Sequence, residues 1–397
     1  MRLTKRLAAS IGVFALVLGS SSAAASERPD GADVVGHVYV NDNTVGTNTI
    51  AGFDRHSDGS LTPMAGSPFA AGGAGTGTIV GSQGALQQTR DGSFLLAVDA
   101  GSNQISALSI DSGGALHAVG SPVSSGGIEP ISIAVHDNLV YVANEGDGTT
   151  GSNYTGFTLS PGGMLTPLAG STFPLPASAA PGDVLFNSTG THLVGVRVGP
   201  AAGPSFIDSF DVQADGLLSP APGSPFAAQA VGPFGSEFRP TNPSELYVSN
   251  AHGGNNAGSV SAYDVAADGV LDPINGSPFA DKQTAPCWVE ITRDGKYLFT
   301  VNTAVPSISR YRILQNGALS LLGSTVFNDP SGLRPFDARL DPSGRNLYVV
   351  DAGRGSVSAF AVDDGNLTEL DSSPFALPGG ATPFGIVVTG ASRSRDQ

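Results

Sequence analysis

A Gly-x-Leu triplet recurs seven times along this chain, ending at Leu61, Leu116, Leu165, Leu218, Leu271, Leu319 and Leu367. Four or five residues after each leucine stands Gly-Ser-Pro-Phe or a close variant. The serines of that second motif follow one another at 54, 50, 53, 53, 47 and 49 residues. A repeat of this length is one supersecondary unit that cannot bury its apolar surface alone, so the copies must stack on one another. Within a unit the apolar period is two. In the last copy Phe336, Ala338 and Leu340 alternate with Asp337 and Arg339, and Pro342-Ser343-Gly344 turns the chain. Residues 347–350 and 357–360 form two further strands, and Asp364-Gly365 leads into a fourth at 367–370. Four short antiparallel strands repeated seven times predict one all-β domain, a seven-bladed β-propeller. The 54 glycines and 28 prolines in 397 residues, with only 13 % charged residues, exclude a long-helix or coiled-coil alternative.

The ends predict closure. The first copy opens at His37-Val38-Tyr39-Val40, which corresponds to the second strand of a blade. The missing first strand is expected from Thr382-Pro383-Phe384-Gly385 and the following Ile386-Val387-Val388, which repeat Arg334-Pro335-Phe336-Asp337. The C-terminal strand then completes the first blade and leaves no free edge inside the ring. The expected organisation is a signal peptide at 1–25, a linker at 26–36, the propeller at 37–388 and a disordered tail at 389–397.

Arg2, Lys5 and Arg6 precede an apolar stretch at 7–18 that is too short to span a bilayer, and Ala23-Ala24-Ala25 offers a cleavage site. The mature protein is therefore expected to be secreted, with no membrane segment after signal removal. Removing the leader takes three of the 19 basic residues and none of the 34 acidic ones. A surface this acidic repels a phosphate backbone, so nucleic acid is excluded as a partner. Cys287 is the only cysteine, so no intrachain disulfide can form, and its apolar neighbours predict a buried small hydrophobe. No cofactor is expected. The six histidines show no paired spacing for zinc, so no metal is assigned; the loop from Glu145 to Asn153 has oxygen ligands and glycines but its spacing fits no EF-hand, which favours an acidic surface loop.

Candidate site residues come from aligning the first strands on the proline, or Gln83, that opens each. Four positions on stand Glu237, Glu290 and Arg339 in consecutive blades, which should cluster beside the central channel. Two positions on, Asp337 and Trp288 should lie nearer one mouth. These residues predict either a polar binding site anchored by Arg339 or a charge and water network that fills the tunnel; buried charges must be paired in both. Gln83, where other blades have proline, is placed near the channel, as a ligand contact or as repair of the missing proline turn. His252 is the best single histidine for acid–base work, against a solvated loop. The second strands end in Asn41, Asp99, Asn144, Arg197, Asn250, Asn302 and Asp351, which predicts Asx-turns at six of the seven; Arg197 is expected in a surface salt bridge.

The units resemble the lactonase family of seven-bladed propellers, which includes 6-phosphogluconolactonases and 3-carboxymuconate-cyclase-like proteins. The likeness rests on residues 294–302, Asp-Gly-Lys-Tyr-Leu-Phe-Thr-Val-Asn, on residues 342–351, and on the Gly-x-Leu turns, and it spans roughly 37–388. It implies an active centre at one channel mouth built from a His, an Arg, a Glu and a second Arg. The matching positions here are Gly182, Phe234 with Gly235, Ala251 and Thr303, none able to move a proton or polarise a carbonyl as the family's residues do. Two functions stay open. One is a lactonase-like hydrolase or cyclase with a remodelled site. The other is a non-catalytic propeller for a small molecule (a sugar lactone or organic acid) or an extracellular protein. The chain is expected to act as a monomer.

Overall fold

Seven antiparallel sheets follow one another in the computed structural model, which describes residues 32–390; the expected signal peptide and most of the tail lie outside them. Each sheet runs from an innermost to an outer strand in chain order. The innermost strands are Leu86–Gln88, Pro130–His136, Pro181–Phe186, Pro233–Arg239, Pro286–Ile291 and Pro335–Leu340 in blades 2 to 7. Blade 1 takes its innermost strand from the other end of the chain: Ile386–Val388 pairs antiparallel with Val34–Asn41, setting Val40 opposite Ile386. The ring is closed as the sequence predicts.

Both repeated motifs have a local physical cause. The Gly-x-Leu leucine opens the outer strand and is buried in most blades. After three residues the outer strand breaks, and the chain turns through Gly-Ser-Pro before pairing again for two residues. The break strands an amide on the third strand, and the motif's serine supplies the acceptor. Ser67 Oγ accepts from Gly52 N–H at 2.8 Å, Ser171 from Gly156 at 2.9 Å, Ser224 from Ser209 at 3.0 Å, Ser277 from Ala262 at 2.8 Å and Ser373 from Ala359 at 3.1 Å. A buried amide left without that partner costs about 1–3 kcal/mol, which explains why the serine recurs. Apolar residues of adjoining blades fill the space between sheets, with the tyrosines Tyr39, Tyr141, Tyr154, Tyr247, Tyr311 and Tyr348 fully buried there.

Both propeller boundaries need correction. The first strand begins at Val34, inside the expected linker, because Val34 and Gly36 already pair with the second strand. Gly36 can do so because it passes against the Thr389 carbonyl, where a Cβ would stand 2.1 Å away. The expected tail likewise begins as structure. Thr389 is buried, its N–H donates to the His37 carbonyl at 2.8 Å and its Oγ1 accepts from His37 N–H at 3.0 Å.

Candidate functional site at the central channel

The connection from blade 1 to blade 2, between Phe69–Ala70 and Leu86–Gln88, is the longest of its kind in the ring. Its last residues, 82–84, cross the end of the channel where the innermost strands begin. Ser82 Oγ donates to the Ile131 carbonyl of blade 3 at 2.6 Å. Gln83 N–H donates to the Gly182 carbonyl of blade 4 at 3.0 Å. The Gln83 amide then spans blades 5 and 6: Nε2 donates to the Ser236 carbonyl at 2.7 Å, and Oε1 accepts from Val289 N–H at 2.9 Å. Trp288 Nε1 donates to the Ser82 carbonyl at 2.7 Å. Gln83 and Trp288 are both about 2 % exposed, so the segment is a plug with its polar groups satisfied. Gln83 thus lies near the channel as predicted, but it neither repairs a turn nor faces an open site.

Gly235 and Gly182 are both tightly enclosed. A Cβ at Gly235 would stand 2.3 Å from Gln83 Oε1 and 2.6 Å from the Cys287 carbonyl. One at Gly182 would stand 3.0 Å from both the Phe234 carbonyl and Val198 Cγ2. Phe234 lies edge-on to Trp288, with ring centroids 5.2 Å apart, and Trp288 stacks on Phe336 at 4.7 Å. Ala251 is buried, and Thr303 Oγ1 is spent on the Pro335 carbonyl at 3.1 Å.

Beneath the plug lies a charged layer. Arg339 reaches Glu290 at 3.2 Å and Asp337 at 3.7 Å, while Glu290 Oε1 accepts from Leu340 N–H at 3.0 Å. The Arg339 and Glu290 side chains keep 17 % and 13 % exposure, so they line a narrow lumen. Glu237 joins them electrostatically; burial, with the charge of Glu290, pushes its carboxyl well above the ordinary range. Glu290 and Asp337 are also raised, by burial against the pull of Arg339. The predicted cluster of Glu237, Glu290 and Arg339 therefore forms, with Asp337, expected nearer a mouth, joining it, whereas Trp288 belongs to the plug. Asp337 is fully buried and not at an open mouth.

Asp183 was not singled out from sequence, although it has the same register as Asp337, two residues after the opening proline. Its carboxylate accepts from Ser132 Oγ at 3.1 Å and from Ser236 Oγ and N–H at 2.7 and 3.0 Å, and burial pushes it up to about 7. Glu145 and Glu129 at the start of blade 3 were also missed as a pair. Glu145 N–H donates to the Glu129 carbonyl at 2.9 Å, and burial, with the charge of Glu129, pushes the Glu145 carboxyl up to about 7. A signal was present: Glu145 follows Tyr141-Val142-Ala143-Asn144 in blade 3 just as Ala251 follows Tyr247-Val248-Ser249-Asn250 in blade 5.

The remaining candidates stand apart. His252 is exposed against Gly232 and shares no hydrogen bond with the channel cluster. Arg197 is not at the surface; Nε and Nη2 grip buried Asp208 at 2.6 and 2.5 Å, with Tyr154 Oη donating to the same carboxylate at 3.0 Å. Only Asn41 and Asp351 make the predicted Asx-turns, accepting from Asn43 and Gly353 N–H. Asp99, Asn144, Asn250 and Asn302 instead tie their strand to a neighbouring one. Cys287 is buried, which pushes its thiol up to about 12. In the 145–153 loop, Asp147 Oδ1 accepts from Thr149 and Thr150 of its own turn and Asn153 Oδ1 from Asn144, so the oxygens are spent locally.

The family model described as lactonase, 7-bladed beta-propeller, matches residues 238–388. No curated protein matches the chain. Among solved structures, a putative 6-phosphogluconolactonase from Bacteroides fragilis is 21 % identical, covers 91 % of this chain and 99 % of its own, and superposes with a TM-score of 0.69. The periplasmic gluconolactonase of Pseudomonas aeruginosa is 16 % identical over 90 % of this chain and 100 % of its own, with a TM-score of 0.69. A second putative 6-phosphogluconolactonase, from Bacteroides uniformis, gives 18 %, 90 %, 100 % and 0.71. At such identities the likeness is one of fold, and the chemistry of the lactonase frame has to be argued from the residues present.

Proposed function

We propose that this chain is an exported binding propeller on the lactonase frame, in which the family's channel-mouth centre has become a structural plug. The observation that carries this reading is the fit between the plug and its glycines. Gln83 Oε1 fills the space that a side chain at Gly235 would need, while the Phe234 carbonyl and Val198 crowd Gly182. Hydrolysis of a lactone needs a group to move a proton and a donor to hold the developing oxyanion, both within reach of a bound ester. At this mouth those places hold a glutamine locked at both ends and a row of aromatic rings. The expected partners are a small organic acid or sugar-derived ligand, or another exported protein, recognised outside the plugged mouth.

A second reading has its own support. Glu145 occupies in blade 3 the place Ala251 holds in blade 5, and its carboxyl titrates near neutrality. That is the property of a general acid–base group, so lactonase-like hydrolysis at the rim is the rival. Incubating the purified protein with gluconolactone, galactonolactone and 6-phosphogluconolactone separates the two. Binding without catalysis predicts ring opening no faster than in buffer. Turnover that disappears in Glu145→Gln and survives in Glu237→Gln would replace the first reading with the second.

A further inference from the structure

Blade 6 differs from its six sisters at the rim of the ring, far from the channel. In the others the outer strand is broken into two short pieces, and proline interrupts it. Pro63 and Pro68 stand in blade 1, Pro122 in blade 2, Pro167 in blade 3, Pro220 and Pro225 in blade 4, Pro273 and Pro278 in blade 5, and Pro374 in blade 7. Proline and short length are the usual devices that keep a sheet edge from recruiting another strand. Blade 6 has neither. Its outer strand, Leu319–Val326, runs eight residues with one bulge, contains no proline and no charge, and exposes Leu322 and Val326 at 44 % and 58 %.

The charge around this edge is also reversed. Residues 286–326 carry four basic and two acidic residues, in a chain of net charge −15. Glu290 is turned inward to Arg339, and Asp294 pairs with Lys296 at 2.9 Å. Arg293 and Arg312 are exposed with no carboxylate partner among the described residues, and Arg310 bonds the neutral Asn366 side chain at 2.7 Å. Arg312 lies on the third strand opposite Ser320, and its exposed side chain can reach towards a strand added beyond the edge at about 4.8 Å spacing; Arg310, opposite Gly323, is half-buried and held across the blades by the Gly365 carbonyl and Asn366. The carboxylates at the far end are engaged: Asp329 by Arg354, and Glu369 by Asn328 N–H and Ser373.

We infer that the outer strand of blade 6 is a docking edge that takes up an extended, acidic segment of a partner protein as a fifth strand. Backbone hydrogen bonds would supply the affinity, and the exposed Arg312 the preference for carboxylates. A second copy of this chain fits less well, because pairing two such edges would bring the same arginines together. The inference concerns a different face from the plugged mouth and stands whether or not the mouth is catalytic.

Leu321 gives the test. It holds the register place that proline holds in four sister blades, facing Tyr311 as Pro63 faces Phe53 and Pro273 faces Tyr263. The fold accepts proline there, so Leu321→Pro should remove one outward amide and leave the blade intact. The probes are two fluorescent nine-residue peptides, one alternating glutamate with valine and one alternating lysine with valine, titrated into the full chain by anisotropy at low salt. The acidic peptide should bind at least tenfold more tightly than the basic one. Leu321→Pro should weaken it at least tenfold, and Arg312→Glu, which leaves the backbone unchanged, should do likewise. Hydrogen exchange should slow at 319–326 when the acidic peptide is present. Equal binding of both peptides, or binding indifferent to both substitutions, would overturn the inference. A dimer in sedimentation that Leu321→Pro dissociates would overturn it too, by giving the edge to a second copy.

Discussion

Two successive layers of the same seven inner strands solve the problem of a propeller's empty axis in different ways. In the plug layer, polar groups are neutral and matched one to one: the two ends of the Gln83 amide meet a carbonyl and an N–H, and the Trp288 indole meets a carbonyl. In the layer below, four carboxyl groups, Asp183, Glu237, Glu290 and Asp337, share the single cation Arg339. The first layer is held by hydrogen bonds between neutral groups, so its contribution is expected to change little with pH. The second is held by charge, and its balance depends on which carboxyls keep a proton.

The largest effect expected from disturbing this contrast is at Arg339. Arg339→Ala leaves Glu290 and Asp337 buried without their cation and should cost ~3–5 kcal/mol in denaturant unfolding. Adding Glu290→Gln should return part of that loss, and an additive double variant would show that the charges do not act as a unit. Next comes the plug. Gln83→Ala strands the Ser236 carbonyl and the Val289 amide and should cost about 1–3 kcal/mol, by the same amount at pH 5 and pH 8. A pH-dependent loss there would erase the distinction between the layers.

The smallest effect expected is at Glu237. Its carboxyl is raised in the folded protein, so between about pH 5 and pH 8 the native state holds a proton that the unfolded chain has released. Stability from that proton is complete in acid and is lost as pH rises through the folded value. Glu237→Gln keeps a neutral side chain throughout. Its Tm should match the parent near pH 5 and exceed it progressively towards pH 9. A variant less stable than the parent at pH 9 would mean that Glu237 is ionised and paired in the native state.

The clustering of Glu237, Glu290 and Arg339 was legible from residue counting alone, because a repeat brings equal register positions to equal depth around the axis. The same counting would have revealed Asp183 had the position two residues after each proline been scanned in blade 4. The plug was not legible in this way. Ser82-Gln83-Gly84 looks like a degenerate strand opening, and nothing near it in sequence indicates that its partners lie in blades 3 to 6. Arg197 failed for a similar reason: its partner Asp208 is eleven residues on, across a loop that sets the pairing only once the third strand has folded back.

The sequence by itself determined the number of blades, the strand order and the closure at the C-terminus. Each of these follows from period-two alternation and a repeat of fixed length, which act within one blade or between neighbours. Tertiary structure alone decided that the channel mouth is filled and that one outer edge is left open. Both depend on what stands across the ring or beyond its rim, where side chains meet through space and local pattern carries no record of their partners.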